Sequence, residues 1–499
     1  MVAATAFRRQ ARRDGLAIAN GRLTPWPLVD EQHDRIHLRV IGRDRLRNNS
    51  STKLSSFVPG PSQTITGPLD CALEDSMSIS RRQFLGTGAL GAGAFAVGCA
   101  TPQPSSTTGE TPAFLRGLSP MTAGVVPIGD DERRGRIAKA QRLMEEEKLD
   151  AIFMEGTASC FYFANMRWGQ SERTFGVVIP ARGELAYVCP GFEEDRAREM
   201  ITFGNDVRVW QEDESPYKLI ADIVRDRGVR HGRIGIEERV RFFIADGIRK
   251  ASMLELADAT PVTAGCRMYK SAAEIALMQR ANDVTIEAYR AALTTLRPGM
   301  TQGDLSGNIA QAFTALGYTG GASAQFGIYT AFPHGSRTPQ TLKEGDVVMI
   351  DGGTSCEGYA SDITRTVVMG TPTQRQIDIW NLEKRAQDAG FAAARIGAPC
   401  ENVDIAARKV IVDAGFGPGY QVPGLPHRTG HGIGIEGHEW TNFVLGNKTP
   451  LAPGMCFSDE PTVAIYGEFG IRLEDCLYMT EDGPKFFTKQ SVAIDQPFG

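Results

Sequence analysis

The strongest constraint on this chain is a set of acidic residues embedded in apolar, strand-like runs of its C-terminal half. Val347–Ile350 is apolar and leads onto Asp351. A Gly-rich turn is expected next, then a strand in which Asp362, Thr364 and Thr366 share one face, because strand side chains alternate. Such a hairpin brings Asp351 and Asp362 together. Glu460 stands within MCFSDEPTVAI (455–465). In GIRLEDCLYM (470–479), Arg472, Glu474 and Cys476 fall on one face, and Leu473, Asp475 and Leu477 on the other. Taken singly, each acid reads as a surface charge. Taken as neighbours, two carboxylates 4 Å apart repel by about 4 kcal/mol at an effective dielectric of 20, so four of them call for cations. Two divalent ions would balance four carboxylates, and His431 would add a neutral nitrogen. Oxygen-rich donors with one imidazole suit Mn²⁺ best, with Co²⁺ or Zn²⁺ as alternatives. Bridging carboxylates would hold the ions ~3.5–4 Å apart, a spacing that activates a shared water.

Four of the seven histidines lie between positions 334 and 438, two of them in TGHGIGIEGHEW (429–440). Gly432, Gly434 and Gly437 fit the spacing of a dinucleotide-binding loop. Such a loop follows a strand and opens a helix within a βαβ unit, whereas GLPHRTGHG precedes this one. The glycines are therefore read as letting the backbone pass close to metal and substrate.

The 499 residues suffice for two to three domains. A net charge of −5 gives no reason to expect nucleic acid as a partner, and nine cysteines without a CxxC pair argue against a disulfide framework or a structural zinc site. Residues 1–76 are arginine-heavy without apolar periodicity, and read as disordered or as an over-long start, with Met77 as the natural one. Residues 77–99 carry Arg81-Arg82, then Phe84-Leu85 and a small apolar run too short to span a bilayer. Ser80-Arg-Arg-x-Phe-Leu resembles a twin-arginine translocation signal. Ala96-Val97-Gly98-Cys99 resembles a lipobox, with Ala96 in place of the usual leucine. These features imply the twin-arginine translocase as a partner during export, location in the bacterial periplasm or cell envelope, and membrane contact only through a lipid on Cys99. Residues 100–129 read as a flexible tether.

From 130 to 268 helix and strand patterns alternate, which defines an α/β domain. Helices are expected over 131–148, 193–203, 215–227 and 241–257, and strands at DAIFME, TFGVVIP, ELAYVCP, VRVW and RIGIE. A second domain, 269–490, opens on a capping box, Ser271-x-x-Glu274. Its helices (271–296, 302–316, 373–397, 402–414) and strands mix without a βαβ rhythm, so α+β is expected.

The ordered set of Asp351 and Asp362 with SDITRT, then GHGIGIEGHE, then Glu460-Pro461 fourteen residues before Glu474 resembles the pita-bread metallopeptidases, in particular the Xaa-Pro aminopeptidase and prolidase branch. The preceding α/β domain is similar in style to the creatinase/prolidase N-terminal domain. The resemblance implies five metal ligands, Asp351, Asp362, His431, Glu460 and Glu474. It implies that Glu460 also relays the proton of the attacking water, and that His334, in FPHGS, and His438 contact substrate and stabilise the oxyanion. Arg472 is expected to orient a ligand carboxylate. Trp168 is a candidate to reach substrate in a partner subunit, since relatives are commonly homodimers. The implied substrates are short proline-containing peptides cleaved before proline. One departure stands out: Thr462 follows Glu460-Pro461 where the family usually has Gly. The alternatives are another metal-dependent hydrolase or lyase on the same scaffold, or a non-catalytic binding module.

Overall fold

The structure, a computed structural model, describes residues 111–499. The stretch 1–76, the twin-arginine segment with Cys99, and the start of the tether lie outside the described residues.

The rest of the expected tether, 111–129, is docked. Phe114, Leu115, Leu118 and Met121 pack against the core of the C-terminal domain. The Met121 N–H donates to the Leu316 carbonyl at 2.9 Å, and the Tyr318 hydroxyl donates to the Met121 carbonyl at 3.2 Å. A Pro/Ser/Thr-rich composition masked apolar anchors that can bury area against a neighbour.

The N-terminal domain comprises α1 (Asp130–Glu147), β1 (Ala151–Glu155), α2 (Ala158–Ala164), β2 (Gly176–Pro180), β3 (Ala186–Pro190), α3 (Glu194–Met200), β4 (Val207–Trp210), α4 (Pro216–Asp226), β5 (Arg233–Ile236), α5 (Phe242–Ala251), β6 (Glu255–Asp258) and α6 (Thr260–Arg267). Its strands form one sheet in the order β4-β3-β2-β1-β5-β6. β1 to β3 pair antiparallel, while β1–β5, β3–β4 and β5–β6 are parallel. β1, β2 and β3 are buried throughout, which explains why they read as short continuous apolar runs. The helix expected to reach 257 stops at Ala251. The Ser252 hydroxyl donates back to the Ile248 carbonyl at 2.7 Å, and the chain then adds β6 to the sheet edge.

The C-terminal domain begins with α7 (Ala272–Leu293), whose capping box forms as expected. It continues with α8 (Gln302–Ala315), β7 (Gly320–Phe326), β8 (Val347–Cys356), β9 (Tyr359–Ala360), β10 (Ile363–Val368), α9 (Gln374–Ala393) and α10 (Glu401–Asp413). The last strands are β11 (Gly430–Gly432), β12 (Glu439–Phe443), β13 (Cys456–Asp459), β14 (Thr462–Ile465), β15 (Phe469–Arg472), β16 (Asp475–Thr480) and β17 (Gly483–Phe486). The strands form antiparallel sheets in the orders β10-β8-β7, β12-β11-β13-β16-β17 and β14-β15. Val284, Ala288 and Phe313 from α7 and α8 share a core with Val348, Ile350 and Ile363. Ile379, Leu382 and Ala407 from α9 and α10 pack on Val463, Ile471 and Leu473. The C-terminal tail belongs to this domain beyond residue 490, with Ile494 buried in the second core.

One expectation needs correction. β8 does not turn after Asp351 but runs on through Gly352 and Gly353 to Cys356. Gly352 pairs with β7 and β10 and Gly353 with β7, which holds both in the strand, and the reversal comes at Glu357-Gly358, both with positive φ. The hairpin survives the shift, with Thr364 opposite Asp351 and Ile363 opposite Gly352.

Candidate metal centre and active site

Three of the four acids of the expected set stand at the start or in a break of a strand. Asp351 lies mid-strand in β8, and Asp362 just before β10. Glu460 occupies the break between β13 and β14, where its N–H donates to the Thr429 carbonyl at 2.8 Å. Glu474 occupies the break between β15 and β16 and bridges to Thr364. His431 is the middle residue of β11, at a register shift in its pairing with β12. Such an irregularity re-aims a side chain.

The five side chains converge. Donor atoms of Asp351, Asp362 and Glu474 lie within 4.8 Å of one another, as do those of His431, Glu460 and Glu474. His431 Nε2 is 3.3 Å from Glu460 Oε1 and 3.8 Å from Asp362 Oδ2. The other ring nitrogen, Nδ1, is 3.1 Å from the Gly432 carbonyl. A carbonyl can only accept, so Nδ1 carries the hydrogen and Nε2 presents a lone pair to two carboxylates. Burial, then the neighbouring His438, holds the His431 pKa down to about 3, which keeps the ring neutral. A lone pair facing carboxylate oxygens is a repulsive arrangement that a cation between them reverses. Glu474 Oε1 is buried with no hydrogen-bond partner. Burial, then Asp362, Glu460 and Asp351, pushes Glu474 well above the usual carboxylate range. Burial, then Asp351 and Glu460, does the same to Asp362. Glu460 rises to about 7, chiefly through burial. This donor set fits divalent metal.

Arg472, only 4% exposed, is no surface ion pair. Its Nη2 is 2.5 Å from Asp351 Oδ2, its Nε donates to the Thr364 hydroxyl at 3.0 Å, and its Nη1 donates to the Pro333 carbonyl at 3.0 Å. The Thr364 oxygen lies 2.9 Å from Asp351 Oδ1 and 2.7 Å from Glu474 Oε2. Its single hydrogen can be given to only one of these two acids at a time. On the opposite face, Arg365 pairs with Asp475 at 2.7 Å and donates to the Glu474 carbonyl at 2.9 Å, locking β10 to the Glu474 segment from behind.

His334 and His438 line the same cavity as the four acids and the His431 imidazole. The His438 ring lies 3.9 Å from that of His431. Arg428 Nη2 is 3.1 Å from His438 Nδ1. A guanidinium only donates, so Nδ1 accepts and Nε2 bears the hydrogen. In that tautomer Nε2 of His438 offers an N–H rather than a lone pair, although its distances also place it in a group with Asp362 and His431. Burial, then the Arg428 charge, lowers its pKa and keeps it neutral.

Trp168 does not line this cavity. It stacks on Phe175 at 4.3 Å between ring centres and borders a separate cleft with Arg239 and Glu436. The loop glycines lie against neighbouring chain. A Cβ at Gly432 would meet the Glu439 carbonyl at 2.7 Å, and one at Gly434 would meet Glu439 Oε2 and Lys270 at 2.7 Å. The close approaches are to neighbouring chain and to Glu439.

Residues the sequence reading passed over are Thr364, Arg428 and His427. Thr364 lay on the correct strand face but carried no charge to mark it. His427 and Arg428 sat in a Pro- and Gly-broken segment. The Thr462 that departs from the family pattern is 3.0 Å from His427 Nε2, and His427 Nδ1 is 2.7 Å from the Arg428 carbonyl.

Fold and site together define a metal-dependent peptidase built on the pita-bread scaffold, and comparison with known proteins agrees. Residues 276–481 match the model of metallopeptidase family M24, and residues 136–269 match the creatinase/prolidase N-terminal domain. The chain belongs to family M24 and is a metallopeptidase. It is 36% identical over 396 residues to an uncharacterized peptidase of Schizosaccharomyces pombe, covering 74% of this chain and 84% of that protein. It is 31% identical to an Xaa-Pro dipeptidase of Lactobacillus helveticus, covering 70% of this chain and 95% of that protein. Among solved structures, dipeptidase PepE of Mycobacterium ulcerans superposes with a TM-score of 0.68 at 30% identity, covering 74% of this chain and 99% of that one.

Proposed function

We propose that this chain hydrolyses the Xaa-Pro bond at the N-terminus of short peptides with two divalent cations, of which Mn²⁺ best suits the donors. The observation that carries the reading is the His431 Nε2 lone pair directed at Glu460 and Asp362 inside a ring of four carboxylates. The cations, when bound, acidify a water towards neutral pKa and polarise the scissile carbonyl. Asp351, Asp362, His431, Glu460 and Glu474 hold them. Glu460, whose proton affinity sits near neutrality, takes a proton from the attacking water and returns it to the leaving nitrogen. His438, fixed as an Nε2–H donor by Arg428, and His334 stabilise the developing oxyanion. Arg472 holds the Asp351 carboxylate and, through Pro333, the segment that carries His334. Proline's imide lacks the N–H that many peptidases grip, and relatives named as Xaa-Pro dipeptidases support this bond preference. Export through the twin-arginine route and assembly as a homodimer belong to the same proposal.

The test is a panel of Ala-Pro, Ala-Pro-Ala and Ala-Ala with purified chain and added Mn²⁺, Co²⁺ or Zn²⁺. Cleavage before proline in a metal-dependent manner is expected. Equal rates on Ala-Ala would remove the proline preference.

A further inference from the structure

Thr462, the residue at which this chain departs from the family pattern, is buried and lies behind the metal cavity rather than in its wall. Its hydroxyl is 3.0 Å from Nε2 of His427, which does line that cavity. His427 Nδ1 is 2.7 Å from the Arg428 carbonyl. A carbonyl only accepts, so Nδ1 carries the ring's hydrogen and Nε2 the lone pair. Burial, then the Arg472 charge, holds the His427 pKa down to about 4, so the ring stays neutral and the Thr462 hydroxyl is the donor. Both partners are fixed through their backbones. Thr462 stands opposite Arg472 in the β14–β15 pair, and Arg408 donates to the His427 carbonyl at 2.8 Å.

The consequence is a missing acceptor. Three imidazoles of the cavity have an assignable lone pair. That of His431 faces the candidate metal site, that of His438 accepts from Arg428, and that of His427 accepts from Thr462. None of the three is left for a substrate N–H. A glycine at position 462 has no hydroxyl, and His427 Nε2 would then be open. An amide N–H at the scissile bond loses its water on entering the cavity, which costs free energy unless an acceptor replaces it. A proline imide has no such N–H and loses nothing. Selectivity can thus come from withholding a partner from the wrong substrate.

We infer that Thr462 is a positioning residue that makes the enzyme select imide over amide bonds, by occupying the one His427 atom that could accept a substrate N–H. This deepens the Xaa-Pro reading and rests on it.

The test measures kcat/KM of the Mn²⁺-loaded chain on Ala-Pro and Ala-Ala for the wild type, Thr462→Val, Thr462→Gly and Thr462→Ser. A neutral hydrogen bond is worth roughly 2–12-fold. Thr462→Val and Thr462→Gly are expected to narrow the Ala-Pro/Ala-Ala ratio by a factor in that range, through a lower KM for Ala-Ala. Thr462→Ser, which keeps the hydroxyl, should keep the wild-type ratio. A residue that merely supports the fold would lower both rates together and leave the ratio alone. Independently of turnover, ¹⁵N spectra of the histidine rings in the Zn²⁺-loaded chain, with His427 assigned from His427→Gln, should show Nε2 unprotonated and hydrogen-bonded in the wild type, and unbonded in Thr462→Val. The wild-type spectrum stands even if a variant misfolds. A ratio that does not fall in Thr462→Val or Thr462→Gly, or a wild-type His427 protonated at Nε2, overturns the role of Thr462 alone. A wild type that cleaves Ala-Ala as fast as Ala-Pro, or cleaves neither, overturns the Xaa-Pro reading and this inference with it.

Discussion

Arg472 lies 2.5 Å from the Asp351 carboxylate and donates to the Pro333 carbonyl at 3.0 Å, so one guanidinium ties an acid of the candidate metal centre to the backbone beside His334. Supporting contacts of this kind typically cost 10–100-fold in metal affinity or activity when removed. Arg472→Met is expected to lose about that much in both, read by metal titration and kcat/KM. Arg472→Lys is expected to recover little, since an ammonium cannot hold Asp351, Thr364 and Pro333 together. Wild-type metal affinity in Arg472→Met would show that the contact is incidental.

The pKa directions predict how metal and pH interact. Glu460, at about 7, and Asp362 and Glu474, pushed well above the usual range, all have folded values above their unfolded ones. In metal-free protein their stabilising contribution is present at low pH and is lost as pH rises from about 4.5 through 7. Metal must displace those protons. Its stabilising effect should therefore grow with pH across this window. The shift in Tm on adding Mn²⁺ after chelator treatment should be larger at pH 7.5 than at pH 5. A shift independent of pH would mean that these carboxyls do not bind the ion.

The Glu439 side chain, 3% exposed, sits between Arg267 and Lys270, whose charges outweigh the cost of burial and hold its pKa down to about 2. Its Oε1 also accepts from the Ile435 and Glu436 N–H groups at 2.9 and 3.1 Å, closing the turn that presents His438. Arg267 and Lys270 flank the junction of the two domains, so the pair fixes the His438 turn to that junction. Glu439→Ala takes the carboxylate from buried Lys270 and leaves Arg267 to Glu436, and should cost about 3–5 kcal/mol, measured by denaturant unfolding. A loss under 1 kcal/mol would show that water replaces the carboxylate.

Much of this architecture was legible because strong local signals coincided with the tertiary result. The capping box at Ser271 and Glu274 opened α7, and the two-residue alternation around Arg472, Glu474 and Cys476 gave the right faces. Cys476 meets the Asp362 carbonyl at 3.1 Å, and Asp475 turns the other way to Arg365. What failed had no local signature. Gly352 and Gly353 read as a turn, but ladders on both edges of β8 override glycine's local freedom. The 111–129 segment reads as linker from composition, and its docking depends on a groove made by residues two hundred positions away. Thr364 acts through contacts to Arg472 and Glu474, more than a hundred positions away, which spacing along one sequence does not encode.

The central claim is that Asp351, Asp362, His431, Glu460 and Glu474 together hold the metal on which hydrolysis depends. The most direct measurement is metal content by mass spectrometry on chain equilibrated with Mn²⁺ and freed of excess, for the wild type and Asp362→Ala, alongside Ala-Pro hydrolysis and circular dichroism. The expected result is two ions per wild-type chain, with fewer ions and no measurable hydrolysis in a folded Asp362→Ala. Unchanged metal content and turnover in that variant, or wild-type hydrolysis that survives complete chelation, would contradict the claim.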